Sequence, residues 1–314
     1  MYALDRFPDA KAVFKSRTKN VEFWHWNMSK ESPAEYPLGM AASCPRGWFM
    51  LAHEDELVQA GPIQRNLFGG TVNVSKVGDT ILATLELPDT EPVRLPLVTA
   101  WGVYFCWYGG GAPDLPRPDQ FWPDVNGRLK VVPGCTFDRI KVPSWVYLQD
   151  VVDTMHVSTV HQYGVKNAWG DIQGASVTGG YEVPVTSLPK VLENIAPWGV
   201  VHQASLGMGM VLIDIHFGGV GIYVLSGLAP VDADHSREWM VYQIRSLESR
   251  NVVVDGVMRA AVEVSYIAEQ KRAIRDDIGW WTSLLRKPVE EYHDPGMIRR
   301  YRQWTRQFFA ENRA

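Results

Sequence analysis

The stretch Gln149 to His161, Q-D-V-V-D-T-M-H-V-S-T-V-H, holds the residues best suited to chemistry. An acid, Asp153, stands three residues before His156, and His161 follows His156 by five. Two nearby imidazoles, joined by a carboxylate from elsewhere in the chain, form the 2-His-1-carboxylate face that holds non-heme Fe(II) and leaves positions open for O₂. Residues five apart on an ideal α-helix lie about 140° around the axis. His156 and His161 therefore converge on one ion only if the helix ends, widens or carries a π-bulge between them. The alternative is two histidines on different faces, one satisfied in the core and one wet. Gln149, Asp150 and Asp153 favour the metal reading, because they set polar groups among Val, Leu, Met and Tyr. Buried carboxylates need partners, and orienting a metal-bound imidazole is a common role for them.

The elements that must position these residues read as strands first and helices last. V-N-V-S-K-V-G-D-T-I-L-A-T-L-E-L places a Gly78-Asp79 turn between two alternating runs, a hairpin signal. The proline-rich segment 112–123 reads as a linker or boundary. Beyond it K-V-V-P-G-C-T-F-D-R-I-K-V is strand-like, and W-V-Y-L-Q-D-V-V-D-T-M-H carries the motif into a helix. Residues 175–247 read as successive antiparallel strands punctuated by Gly and Pro, and the chain turns helical from Val254. In the tail, Ile298, Tyr301, Trp304 and Phe308 make an apolar stripe, with Arg299, Arg300, Arg302 and Arg306 off it on a solvated face. The fold class expected is α+β: a β domain, then an antiparallel sheet packed with helices. The divisions expected are an N-terminal segment 1–39, a β domain 40–123 and a catalytic domain 124–314.

Bulk properties narrow the function classes. The chain has 314 residues with a net charge of −4, which gives no reason to expect nucleic acid or an anionic membrane as partner. Three widely spaced cysteines, Cys44, Cys106 and Cys135, fit a reducing compartment better than a disulfide framework. No secretory h-region and no apolar run long enough to span a membrane occur, so a cytoplasmic protein is expected. The 13 tryptophans serve as core anchors or line an apolar ligand pocket.

The motif Q-D-V-V-D-T-M-H-V-S-T-V-H resembles the mononuclear-iron motif of the Rieske non-heme iron oxygenases, E/D-N-x-x-D-x-x-H-x-x-x-x-H. It is most similar to the steroid-acting branch, the oxygenase component of 3-ketosteroid 9α-hydroxylase and the cholesterol 7-desaturases. C-P-R-G-W-F (44–49) resembles the start of that family's Rieske domain, and A-W-G-V-Y-F-C-W-Y-G its closing strand. D-I-G-W-W and R-R-Y-R-Q-W-T-R-Q-F-F resemble the family's D-V-x-I-W and its terminal helix, so the likeness runs over most of residues 45–309. The resemblance implies that His156 and His161 bind iron and that Asp277 is the carboxylate ligand, with Asp276 its neighbouring rival. It implies that Asp153 couples the iron histidine to the cluster of the next subunit. It also implies that the β domain is truncated and that the sheet and helices of the second domain are of helix-grip type. Asp150 stands at the usual asparagine position and adds a second anion beside the iron; Asp150 and Asp153 are thus the candidate catalytic acids.

A Rieske cluster needs C-x-H and C-x-x-H. None of the three cysteines has a histidine two or three residues after it. The chain is therefore expected to hold mononuclear Fe(II) and no [2Fe–2S] cluster. Full reduction of O₂ takes four electrons and an oxidised substrate supplies two, so the rest must come from outside. The leading expectation is an Fe(II) monooxygenase or desaturase acting on an apolar ring substrate, fed by a Rieske-bearing oxygenase subunit or reductase in a trimeric or heteromeric assembly. The alternatives are a cluster-independent iron enzyme and a non-catalytic subunit of a heteromeric oxygenase. A 2-oxoglutarate oxygenase is disfavoured by the order His, His, Asp. Among the other histidines, His216 and His25 are read as structural, and His53, His202, His235 and His293 as facing solvent.

Overall fold

Alternation along the first strand explains how the N-terminal half joins the rest. In the computed structural model, which describes residues 44–184, 198–217, 220–245, 252–284 and 287–309, β1 (Gly47–His53) is buried throughout. Successive side chains of a strand point to opposite faces. Trp48 and Met50 enter the main core, while Phe49 and Leu51 enter a second, smaller one. The segment 1–39 and His25 lie outside the described residues.

After β1 comes a short helix, α1 (Glu54–Ala60), then β2 (Ile63–Leu67), β3 (Gly70–Val77), β4 (Thr80–Glu86) and β5 (Val93–Leu95), which pair in that order as a four-stranded sheet. The β3–β4 hairpin turns at Gly78-Asp79, with Val77 opposite Thr80. β6 (Leu97–Ala100) and β7 (Val103–Tyr108) complete a three-stranded sheet of order β1-β7-β6. His53 is not solvent-facing as its polar context suggests. It is buried, caps α1 by accepting from the Asp55 amide at 3.3 Å, and bonds the Leu129 carbonyl through Nε2 at 3.0 Å. An orphan amide at the helix start has claimed it.

A one-turn helix, α2 (Pro118–Phe121), lies in the proline-rich segment, and β8 (Lys130–Ile140) follows. The motif region is broken into short pieces: α3 (Ser144–Tyr147), a 3₁₀ turn Leu148–Val151, and α4 (His156–Thr159). Six strands then form a meander: β9 (Lys166–Gln173), β10 (Ser176–Pro184), β11 (Trp198–Leu206), β12 (Met210–Phe217), β13 (Val220–Pro230) and β14 (Ser236–Ile244). With β8 beside β14 they make a seven-stranded antiparallel sheet, order β8-β14-β13-β12-β11-β10-β9. The long helix α5 (Val252–Leu284) and the terminal α6 (Pro295–Thr305) end the described chain. The apolar stripe of the tail is buried as its spacing requires, with Ile298, Tyr301, Trp304 and Phe308 all in the main core. Arg299, Arg300 and Arg306 are exposed, while half-buried Arg302 reaches the Gln149 side chain at 3.3 Å. Among the described residues no helix is long and apolar enough to cross a membrane.

One glycine shows how the motif region is seated. A Cβ on Gly179 of β10 would lie 2.0 Å from the carbonyl oxygen of Val151. The 3₁₀ turn that carries Asp150 therefore rests directly on the sheet backbone, at a distance only glycine permits. Gly179→Ala should lower the unfolding free energy by about 1–3 kcal/mol, the cost of overpacking. Urea denaturation checks this, and a Co(II) titration of the same variant should show weaker metal binding as the turn lifts.

Candidate metal centre and its cavity

Helix α5 presents one face to the sheet. Tyr266, Gln270, Ile274, Asp277 and Trp281 recur at three- and four-residue spacing and all line the same cavity. The motif turn closes the inner end opposite Asp277. One ligand atom from each of His156, His161 and Asp277 lies within 4.8 Å of the other two. The two imidazole rings are 5.7 Å apart at 73°, and His161 Nε2 is 3.0 Å from Asp277 Oδ1.

Convergence comes from breaking the helix rather than bulging it. α4 ends at Thr159, and Gln162 takes the left-handed φ of 60°, so His161 is carried back towards α5 by a turn. His156 is fixed from behind. Its Nδ1 donates to the backbone carbonyl of Asp153 at 2.7 Å. A carbonyl only accepts, so the proton sits on Nδ1 and the Nε2 lone pair is left for an ion. Asp153 thus orients His156 through its main chain, while its own buried carboxyl is pushed above the usual range by burial, against the pull of His156, Lys287 and His293.

Asp276 and Asp277 have different neighbours. Asp276 is bound by Arg272 at 3.2 Å and lies 3.9 Å from His161 Nδ1, whereas Asp277 belongs to the cluster. Asp150 stands beside the cluster with Oδ2 4.0 Å from His156 Nε2. That oxygen accepts from the Trp281 indole, and Oδ1 has no hydrogen-bond partner. Burial raises the Asp150 carboxyl to about 7, with His156 opposing the shift and Asp277 adding to it. His156 itself is raised: burial lowers it, but Asp150 and Asp277 outweigh that.

Asp150 Oδ1 and Asp277 Oδ1 are buried and make no hydrogen bond, although His161 Nε2 stands 3.0 Å from the latter. Two unsatisfied acid oxygens beside two imidazoles are what a bound cation would satisfy. Two imidazoles and one carboxylate are a donor set suited to Fe(II). The residues fit the ion.

The cavity leading to this cluster has a volume of about 220 Å³. Its sheet wall is mostly apolar, with Val201, Val211, Ile213, Ile215 and Val224. Behind its floor lies a buried polar chain in which Tyr147 bonds Ser226, and the Ser226 hydroxyl donates to Glu238 Oε1 at 3.2 Å. Glu238 is fully buried, its Oε2 lacks a partner, and its carboxyl is pushed well above the ordinary range by burial, then by Asp277. At the mouth, the Tyr163 hydroxyl donates to Glu269 and accepts from Arg272 at 2.6 Å, tying the turn after His161 to α5.

Sequence reasoning missed Trp281 as the partner of Asp150, and it missed Tyr163, Tyr181, Gln203 and Glu238 altogether. The W-W pair after Asp277 was the available signal for Trp281; the others are scattered over strands and loops. His202 is buried rather than solvent-facing, on the sheet face away from the cavity. His216 shares that face and bonds Arg245 at 2.9 Å, a structural role. His235 is held by Asp232 at 2.8 Å, and His293 is exposed. Cys106 and Cys135 are buried thiols raised by desolvation, Cys135 to about 11.

Neither known protein-family profiles nor curated proteins contain a match to this chain. Solved structures do. Dicamba monooxygenase bound to dicamba matches with a TM-score of 0.54 at 14% identity, over 86% of this chain and 98% of that one. Dicamba monooxygenase with non-heme iron and dicamba gives 0.54 at 13%, over 84% and 96%. NdmA of Pseudomonas putida CBB5 with caffeine gives 0.53 at 14%, over 82% and 89%. The fold is therefore the Rieske-oxygenase type, α+β with antiparallel sheets.

Two outcomes follow from these contacts. An acid raised by burial stays protonated in the fold while the unfolded chain ionises, so its cost grows as pH climbs above the unfolded value. Glu238→Gln should therefore change stability little near pH 4 and stabilise by about 1.4 kcal/mol more for each pH unit above that, until the folded carboxyl itself ionises. Denaturation at pH 4.5 and pH 8 reads the difference. Arg272→Ala should weaken Co(II) binding about tenfold by loosening the turn behind His161, with Arg272→Lys recovering part of it in the same titration.

Proposed function

We propose that this chain is the iron-bearing catalytic subunit of a Rieske-type oxygenase that hydroxylates or desaturates an apolar ring substrate with electrons from a separate Rieske-bearing partner. The convergence of His156, His161 and Asp277 at the inner end of an apolar cavity carries the reading. Ferrous iron at that point would supply O₂ activation. The protein's own residues do the rest. The Asp153 carbonyl holds the His156 ring, and the Trp281 indole holds Asp150. Burial raises Asp150 to about 7 in the ion-free site, so its carboxyl, with Oδ1 unpartnered, can give up a proton as a cation arrives and then accept one beside the cluster. Apolar side chains keep bulk water from the cavity.

In this reading residues 40–123 are a scaffold without a cluster and residues 124–314 are the iron-bearing part. The absence of C-x-H and C-x-x-H supports an external donor. Asp153 supports a place for that donor: its carboxyl is next to the iron histidine and is influenced by Lys287 and His293, with His293 exposed. The Val and Ile wall supports an apolar ring substrate. The assembly is trimeric or heteromeric, with the partner inside the cell.

Iron and acid-labile sulfide, measured after anaerobic Fe(II) reconstitution, test this. About one iron per chain and no sulfide are expected, in line with a lone 2-His-1-carboxylate site. His156→Ala and Asp277→Ala should lose the iron, and Asp276→Ala should keep it. An intact chain that takes up no iron would sink the reading, and two sulfides per chain would overturn the external donor.

A further inference from the structure

The sheet wall of the cavity is interrupted at one place by polar side chains. On the face towards α5, cross-strand rows read Tyr181–Val201–Ile215–Ile222 and Gly179–Gln203–Ile213–Val224. Gln203 and Tyr181 are diagonal neighbours in this grid, and both line the cavity. Gln203 is 7% exposed and donates from Nε2 to the Tyr181 hydroxyl at 3.3 Å. Among the described residues, nothing else bonds either group: the Gln203 carbonyl has no donor and the Tyr181 proton has no acceptor. A buried amide among Val and Ile costs free energy unless its hydrogen bonds are made. Val or Ile would fill this part of the wall without that cost.

We propose that Gln203 and Tyr181 bind a hydroxyl group on the substrate, so that the substrate class is a phenol or ring alcohol on an otherwise apolar ring system. The pair leaves two donors free, the second amide N–H and the Tyr181 hydroxyl proton, and one acceptor, the Gln203 carbonyl. A hydroxyl both accepts from the donors and donates to the carbonyl; an ether or ketone accepts but leaves the carbonyl unpaired, and a bare hydrocarbon satisfies neither. The match does not depend on which way the amide is turned. If the Gln203 carbonyl accepts from Tyr181 instead, the two amide N–H groups are the free donors and the phenol oxygen is the free acceptor. The anchor lies at the metal end of the cavity, because Gly179, the cross-strand partner of Gln203, is the residue on which the turn carrying Asp150 rests. Anchored there, the rings extend along the Ile213, Ile215 and Val224 wall, with carbons adjacent to the hydroxyl turned towards the cluster.

This inference rests on the oxygenase reading for the identity of the bound molecule as substrate. The binding chemistry is separable from it. The full chain, as purified and after anaerobic Fe(II) loading, is titrated calorimetrically with 2-naphthol, 2-methoxynaphthalene and naphthalene. 2-Naphthol should bind at least about tenfold more tightly than either analogue, the worth of one to two hydrogen bonds. Gln203→Leu and Tyr181→Phe should bring the three compounds to within about threefold of one another. Thermal melts of both variants report whether the sheet is intact, and the wild-type comparison stands without them. Equal binding of the three compounds, binding of none, or a preference that survives in both folded variants overturns the proposal. Iron uptake without a hydroxyl preference removes this inference and leaves the oxygenase reading; the preference without iron uptake does the reverse.

Discussion

The contact between the Trp281 indole and the Asp150 carboxylate joins the two halves of the centre. Asp277 lies one helical turn before Trp281 on α5, and His156 lies beyond Asp150 in the motif segment, so a single hydrogen bond sets the helix against the turn. Everything around it serves that register. Tyr147 packs edge-on against Trp281 at 4.9 Å. Tyr292 accepts from Gln149 at 2.8 Å, and Arg302 of α6 reaches the same glutamine, so the terminal helix braces the turn from outside. Gly179 sets its height above β10. The ligands come from segments more than a hundred residues apart, and no local conformational preference could align them; the alignment is tertiary.

Two different kinds of order meet in this site. The sheet wall is made by strand register, in which every second residue of β10 to β13 faces α5, and a period-2 pattern gives a smooth apolar surface cheaply. The polar end is made by irregular backbone: a 3₁₀ turn, a one-turn helix, and a left-handed residue at Gln162. In this protein the imidazoles and the carboxylate are brought to a point by the irregular motif segment and α5, not by the strands. Irregular backbone alone could not exclude water. The cavity has its polar end where the chain leaves regular structure.

What was legible in the sequence follows the same division. The β3–β4 hairpin, the meander from β10 to β14, the onset of α5 and the buried stripe of α6 all come from periodicity and turn chemistry, which are local. His156, His161 and Asp277 were legible as a set only through the family resemblance that the motif and the D-I-G-W-W segment carry, and the structure brings the three together. Their exact manner of meeting was not: spacing allowed a helix end or a π-bulge, and only the backbone shows that α4 stops at Thr159. Gln203 and Tyr181 could not be read at all. In sequence they are 22 residues apart on different strands, and only the antiparallel pairing of β10 with β11 makes them neighbours. His53 and His202 were misread for a related reason, since polar flanking residues say nothing about whether a helix start or a sheet face will cover them.

The buried acids also tie metal to protons. Asp150 and Glu238 share one low-dielectric region with Asp277, whose charge raises the cost of ionising both; Asp150 adds to the cost at Glu238. A divalent cation held by His156, His161 and Asp277 would reverse the local field, since the ion becomes the largest charge present. Asp150, held near 7 without the ion, would then ionise, and His156 would no longer be drawn towards its protonated form. Metal uptake and proton release become one event at this site. That coupling lets an aspartate occupy the place where an asparagine would be electrically simpler: next to a cation the second carboxylate is neutralised rather than repelled, and its free oxygen stays beside the centre as a proton acceptor.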